Sequence, residues 1–396
     1  MKSILPWTRK PLEQRLISAV FTAVLVTSPL VGAGVARAED PGVASSPGDV
    51  VHVETSTFDL VPGIPAPVDG WKILYRSTDA LGNPNVVSGR IFIPRDGHVG
   101  TRPLVTYAVG TVGMGDQCAP SATGGPREIR GILEKGWAVV VTDYQGLATP
   151  GDHTYLVGRA EGTAVLDAAR AAERLPEANA RGVGAESPVG IVGYSQGGHA
   201  GSWAAELSDD YAPELRIKAL AVGGVPADTL TDAVKQHGKL ANPAAYFMIA
   251  IGHDAAYPEL RLDSYLTDEG RSFAQKIRTG CVVDNLIAGQ GKSLNQMVTR
   301  DPLDTPEWQA RLAEDRLGTR PLGYPVYLFH GVNDDIVSYE FGSHLRSDWC
   351  RLGNAVEWHA LPMADHIAAA ALGGNAAVDW LGRRLAGQPA PGNCAS

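Results

Sequence analysis

Metal-binding signatures are missing from this 396-residue chain. It contains neither C-x-x-C nor H-E-x-x-H, and its ten histidines are scattered, so a metal site has little support and no cofactor is expected. Basic clusters are missing too. With 34 lysines and arginines against 43 aspartates and glutamates, the formal charge is −9. Such a chain has no electrostatic handle on phosphate backbones or anionic lipid, which argues against nucleic acid as a partner. Internal repeats and low-complexity segments are absent. A clean membrane-spanning run is also lacking, because the apolar segment from Leu16 to Val35 is diluted by Ser18, Thr22, Thr27 and Ser28 and broken by Pro29. With Lys2, Arg9, Lys10 and Arg15 before it and Ala36-Arg37-Ala38 after it, the segment reads as a secretory signal peptide cut after Ala38 rather than as an anchor. Excision would leave 358 residues and, by removing five cations and Glu13, shift the charge to −13. Cysteine is scarce. Cys118, Cys281, Cys350 and Cys394 are even in number, and in an exported chain that favours two disulfides in one of three pairings, among which spacing does not choose.

At 44% hydrophobic residues with 46 glycines, the remainder has the composition of a globular protein with a sizeable core and one inserted subdomain. The segments 71–77 and 86–94 flank Leu81-Gly82-Asn83-Pro84 and read as two strands joined by a turn. Residues 103–110 and 137–144 are short continuous apolar runs, as expected of parallel strands buried on both faces. An alanine-rich helix is expected from Gly162 to Leu175, then strands at 189–192, 219–225 and 325–331. This alternation predicts a doubly wound, mostly parallel α/β sheet. The hundred-residue gap between the last two strands is too long for a plain loop and predicts a mostly helical insertion over 226–323, between core segments 39–225 and 324–396.

The chemistry centres on Gly193-Tyr194-Ser195-Gln196-Gly197, a G-x-S-x-G pentapeptide set between an apolar, β-branched run and a helical pattern. A serine hydroxyl is a weak nucleophile and must project from a sharp turn where a base can reach it. Flanking glycines let strand and helix approach closely enough for that turn. The acid and the histidine are expected later in the chain, each in a loop beyond a late strand. His330-Gly331-Val332-Asn333-Asp334-Asp335 follows an apolar strand and offers Asp334 or Asp335 as the carboxylate that orients an imidazole. His366 precedes the final helix and is the candidate base. His359 lies within a short strand, and His199, four residues beyond Ser195, reads as structural. Of the two N–H donors that an oxyanion hole needs, Gln196 supplies one. The second falls in Gly110-Thr111-Val112-Gly113, where Thr111 is the candidate.

These segments, together with 79–85, 118–121, 143–146, 211–215 and 348–350, resemble the secretory lipases of the fungal lipase A type and their actinobacterial relatives. The resemblance implies an α/β-hydrolase core with a helical lid inserted before the acid-bearing strand. It places the acid at the first carboxylate of H-G-x-x-D-x-I-V, which is Asp334, and implies disulfides Cys118 to Cys281 and Cys350 to Cys394. Two features depart from the fungal pattern. Thr111-Val112 stands where that type carries acidic residues in its oxyanion loop, and the lid matches least well. The expectation is a secreted serine hydrolase of carboxylic esters, with an ester or lipid substrate, lid-mediated transient contact with lipid interfaces and no obligate protein partner. Two rivals are an acyltransferase or esterase for a non-lipid natural product, and a catalytically inactive hydrolase fold used for binding.

Overall fold

The computed structural model describes residues 46–61, 63–231 and 242–395. The signal peptide and its cleavage point fall outside the described residues, as does 232–241 within the insertion. In chain order the strands are β1 (Val50–Ser56), β2 (Asp59–Val61), β3 (Ile64–Pro65), β4 (Val68–Thr78), β5 (Pro84–Pro94), β6 (Leu104–Ala108), β7 (Ala138–Thr142), β8 (Val189–Tyr194), β9 (Ile217–Gly223), β10 (Val326–Gly331) and β11 (Val356–Leu361). Strands β2 and β3 pair with each other, and the other nine form one sheet in the order β1-β4-β5-β7-β6-β8-β9-β10-β11. The pairs from β1 to β7 are antiparallel. Every pair from β7 to β11 is parallel.

The continuous apolar runs become the centre of this sheet, and every residue of β6, β7 and β10 is buried. Both faces are covered. Gly190 of β8 packs on Leu381 in the helix His366–Leu385, while the next residue, Ile191, packs on Gly201 in the helix Gln196–Tyr211. Successive strand residues point to opposite faces, so these two helices lie on opposite sides. The helix Gly158–Arg174 joins the second side, crossing Gln196–Tyr211 so closely that a Cβ at Gly162 would sit 2.9 Å from the Ala204 amide.

That helix begins four residues before the expected start at Gly162. Its N-cap, Val157, offers no side-chain cap. The Gly158 amide instead donates to Asp315 Oδ1 at 2.7 Å, 157 residues away, and a start capped from that distance leaves no local signal.

Between β9 and β10 the described chain forms the helices Ala244–Ala256, Asp268–Thr279, Val282–Gly289 and Pro306–Glu314. They gather a second apolar cluster around Phe247, Ile251, Phe273, Ile277 and Trp308, which Tyr155, Leu156, Val157 and Ala160 join. At the far edge of the sheet, Asn393 clips the C-terminal tail onto β11. Its amide donates to Val356 O at 2.7 Å and its side-chain carbonyl accepts from the Trp358 amide at 2.8 Å. The Cys350–Cys394 disulfide fixes this clip, which covers an edge that would otherwise present unpaired backbone groups.

Candidate active site

Strand β6 has β7 on one side and β8 on the other, which makes a topological switch point. Ligand sites in sheets of this kind open at the carboxyl ends of the strands around such a point. The segments leaving the sheet at that end include 109–113 after β6, Ser195 after β8, 332–338 after β10 and 362–365 after β11, the last leading directly into His366.

Ser195 is the single residue between β8 and the helix Gln196–Tyr211. Its φ of 58° and ψ of −122° form a strained conformation that costs on the order of 1–3 kcal/mol and needs its surroundings to hold it. They do so through backbone contacts. The Ser195 amide donates to Gly223 O at 3.0 Å, and Ser195 O accepts from the His199 amide at 3.0 Å. A Cβ on Gly193 would lie 2.0 Å from Gly197 O, and one on Gly197 would lie 2.0 Å from Ala108 O. Both pentapeptide glycines are therefore required by close backbone approach.

The structure brings Ser195, His366 and Asp334 into one hydrogen-bonded line. His366 Nε2 lies 3.0 Å from Ser195 Oγ, and His366 Nδ1 lies 2.7 Å from Asp334 Oδ2. His366 opens the final helix, one residue earlier than expected, because Asp365 caps that helix by accepting from the Ala368 amide at 2.8 Å. The Tyr194 hydroxyl donates to His366 O at 2.6 Å, and its ring centroid is 5.0 Å from that of the imidazole.

Asp334 is fixed on both oxygens. Oδ1 accepts from the amides of Ile336 at 3.0 Å and Val337 at 2.8 Å. Oδ2 faces His330 Nε2 at 3.3 Å as well as His366. Burial alone would raise this carboxyl, but hydrogen bonds from His330, His366 and the Val337 amide outweigh burial and hold it well below the ordinary carboxylate range. Asp335 is exposed, and among the described residues its side chain reaches only the His366 amide, at 3.5 Å. His359 lies inside β11 beside Glu357. His199 Nδ1 meets Glu161 Oε2 at 2.9 Å in a fully buried pair.

Gln196 follows Ser195 directly, so its backbone N–H lies in the first turn of a helix, where amides lack intrahelical partners. The Thr111 hydroxyl meets Tyr155 OH at 2.9 Å, with either oxygen able to donate, and the Thr111 backbone N–H stands beside it as a candidate donor. The loop bearing Thr111 is pinned by the insertion: Val282 N donates to Val112 O at 2.8 Å and Met114 N to Gly280 O at 3.0 Å. A Cys118–Cys281 disulfide ties the same two segments. No cluster of three His, Cys, Asp or Glu side chains suited to a metal occurs among the described residues.

The sequence model of the secretory lipase family matches residues 127–393, about two thirds of the chain. The chain belongs to the secretory lipase family. Membership makes this secretory lipase a carboxylic ester hydrolase. Lipase 6 of Candida albicans is 27% identical over 387 residues, covering 89% of this chain and 80% of that protein. A Mycobacterium tuberculosis protein named as a probable inactive lipase is 29% identical over 366 residues, covering 87% and 79%. Among solved structures, Candida antarctica lipase A superposes with a TM-score of 0.75 at 20% identity over 89% of this chain and 85% of that one, a likeness of fold.

Sequence reasoning passed over His330, Glu161 and His153. His330 stands inside the quoted H-G-x-x-D motif, and only its distance to Asp334 reveals the contact. Glu161 falls just before the expected helix start, so nothing local marks it.

Proposed function

We propose that this secretory lipase is exported and cleaves acyl esters through an acyl-enzyme formed on Ser195. His366 Nε2 takes the Ser195 proton as Oγ attacks the ester carbonyl, and the imidazolium returns that proton to the leaving alkoxide. Asp334 keeps the Nδ1–H tautomer and stabilises the imidazolium. The Gln196 and Thr111 amides donate to the developing oxyanion. Water, deprotonated by His366, then attacks the acyl-enzyme carbonyl, and the imidazolium returns the proton to Ser195 Oγ as the acyl–oxygen bond breaks and the carboxylic acid leaves. The hydrogen-bonded line Ser195–His366–Asp334 carries this reading.

The exposed apolar side chains Val332 and Ile336 beside Asp334, and Met363 and Ile367 beside His366, favour substrates with apolar acyl groups. The segment 226–323 is the proposed lid, and the disulfides support passage through an oxidising compartment. The name given to the mycobacterial relative raises a second reading, an inactive fold used for binding. The spacing of the Ser195–His366–Asp334 line favours catalysis over it.

Hydrolysis of p-nitrophenyl esters of graded acyl length by the secreted protein and by Ser195→Ala tests the proposal. Wild-type turnover that rises with acyl length and disappears in Ser195→Ala is expected. Equal rates in both proteins would remove the serine mechanism, and no turnover in a folded wild-type protein would favour the binding reading.

A further inference from the structure

Directly behind the Ser195 turn lies a fully buried carboxylate, Glu161, that no lysine or arginine among the described residues pairs with. Glu161 sits in the first turn of the helix Gly158–Arg174, and Gln196, His199 and His153 around it are buried as well. Its Oε1 accepts from the Gln196 side-chain amide at 2.7 Å and from the Leu156 amide at 3.0 Å. Its Oε2 accepts from His199 Nδ1 at 2.9 Å. The second hydrogen of the Gln196 amide points to His153 Nε2 at 2.9 Å. That contact requires an unprotonated Nε2, consistent with Nδ1–H donating to Gln145 O at 3.0 Å and with burial, which lowers the basicity of His153. Glu161 is thus the acceptor throughout, while the buried His199 Nε2 has no hydrogen-bond partner among the described residues.

The two ends of this network are the two oxyanion donors. The Gln196 side chain is clamped by Glu161 and His153, which fixes the residue whose backbone N–H opens the elbow helix. On the other side, Leu156 is held by Glu161 with a left-handed φ of 54°. Its neighbour Tyr155 carries the hydroxyl that meets Thr111 Oγ1. We propose that Glu161 is a positioning residue that anchors both halves of the oxyanion hole, Gln196 directly and Thr111 through Leu156 and Tyr155; this rests on the serine-hydrolase reading above. A buried carboxylate is costly to retain for packing alone. Here it sets two amides aimed at one developing charge, which matters more in the transition state than in the bound ester.

The test compares Glu161→Gln, Glu161→Ala and Gln196→Met with wild type and Ser195→Ala. Readouts are kcat and KM for a short-chain p-nitrophenyl ester and inhibition by an aryl trifluoromethyl ketone, whose serine adduct mimics the oxyanion. Removing one oxyanion donor outright costs about 10²–10³ in kcat. Glu161→Ala should approach a 10²-fold loss. Gln196→Met, which keeps the backbone N–H, and Glu161→Gln, which keeps one acceptor oxygen, should each lose about 3- to 30-fold on the same scale. KM should move by less than about threefold, because ground-state binding is spared, and ketone affinity should fall in proportion to kcat/KM. Circular dichroism checks folding. Should Glu161→Ala fail to fold, the two milder variants decide. Wild-type kcat and ketone affinity in both, or a rise in KM with kcat intact, overturns the proposal while an inactive Ser195→Ala leaves the serine mechanism standing. Full activity in Ser195→Ala overturns both.

Discussion

Replacing Asp334 by asparagine separates orientation of the imidazole from bulk and polarity. Two arrangements of the amide are available, and both fail. With its oxygen kept against the amides of Ile336 and Val337, the –NH₂ group faces His366 Nδ1 where an acceptor stood at 2.7 Å. The imidazole then protonates Nε2 instead and loses the lone pair that should take the Ser195 proton. With the amide turned over, two backbone N–H groups meet –NH₂ hydrogens; the exposed Ile336 amide can turn to water, but the part-buried Val337 amide is left unsatisfied at about 1–3 kcal/mol. The wrong tautomer in a serine triad lowers kcat about 10⁴-fold, equivalent to about 5.4 kcal/mol of transition-state stabilisation. Asp335→Asn alters only an exposed group 3.5 Å from the His366 amide and should change kcat by less than about threefold, as surface substitutions usually do. Initial rates on a p-nitrophenyl ester, normalised to folded protein, give the comparison. Retention of a tenth of wild-type turnover in Asp334→Asn, or a larger loss in Asp335→Asn, would refute the reasoning.

Three further outcomes follow from packing and linkage. The Cys118–Cys281 and Cys350–Cys394 bridges span 163 and 44 residues, so the chain-entropy model assigns about 5 and 4 kcal/mol as upper values. Cys118→Ser should lower both the Tm and turnover, because it loosens the Thr111 loop, whereas Cys394→Ser should release the tail from β11 to limited proteolysis with kcat unchanged; equal effects on kcat would contradict this. Gly197→Ala puts a Cβ 2.0 Å from Ala108 O, whereas a Cβ at Gly374 meets nothing within 4 Å. The first should destabilise by about 3 kcal/mol or more, beyond ordinary overpacking, and the second should stabilise by up to about 1 kcal/mol through helix propensity, both read from denaturant midpoints. Burial and the neighbouring Glu214 push the Glu173 carboxyl up to about 8, and its Oε1 is buried without a partner. With the folded value raised above an unfolded one of about 4.3, the penalty of ionising it is absent below the unfolded value and complete above the folded one. Glu173→Gln should therefore raise the Tm more at pH 8 than at pH 5, and equal shifts would contradict the assignment.

Much of this was legible because signal and structure are both local. The apolar runs at 103–110 and 137–144 become β6 and β7, since burial on both faces demands uninterrupted hydrophobicity. The glycines at 193 and 197 announce the turn because no other residue fits against Gly197 O and Ala108 O. Strand β1 went unread, because half-buried residues pairing with β4 leave no clear alternation. The start of the helix Gly158–Arg174 and the Glu161 network were illegible for another reason. Their partners, Asp315 and Gln196, are distant in sequence, and only the folded sheet brings them together.

The central claim is that Ser195 is a nucleophile activated by His366 and Asp334. Reaction of the secreted protein with a fluorophosphonate, followed by peptide mass mapping, tests it most directly. One adduct per chain on Ser195 is predicted, forming orders of magnitude more slowly in folded His366→Ala and absent in Ser195→Ala. An adduct on another residue, or labelling of Ser195 at the wild-type rate in His366→Ala, would contradict it.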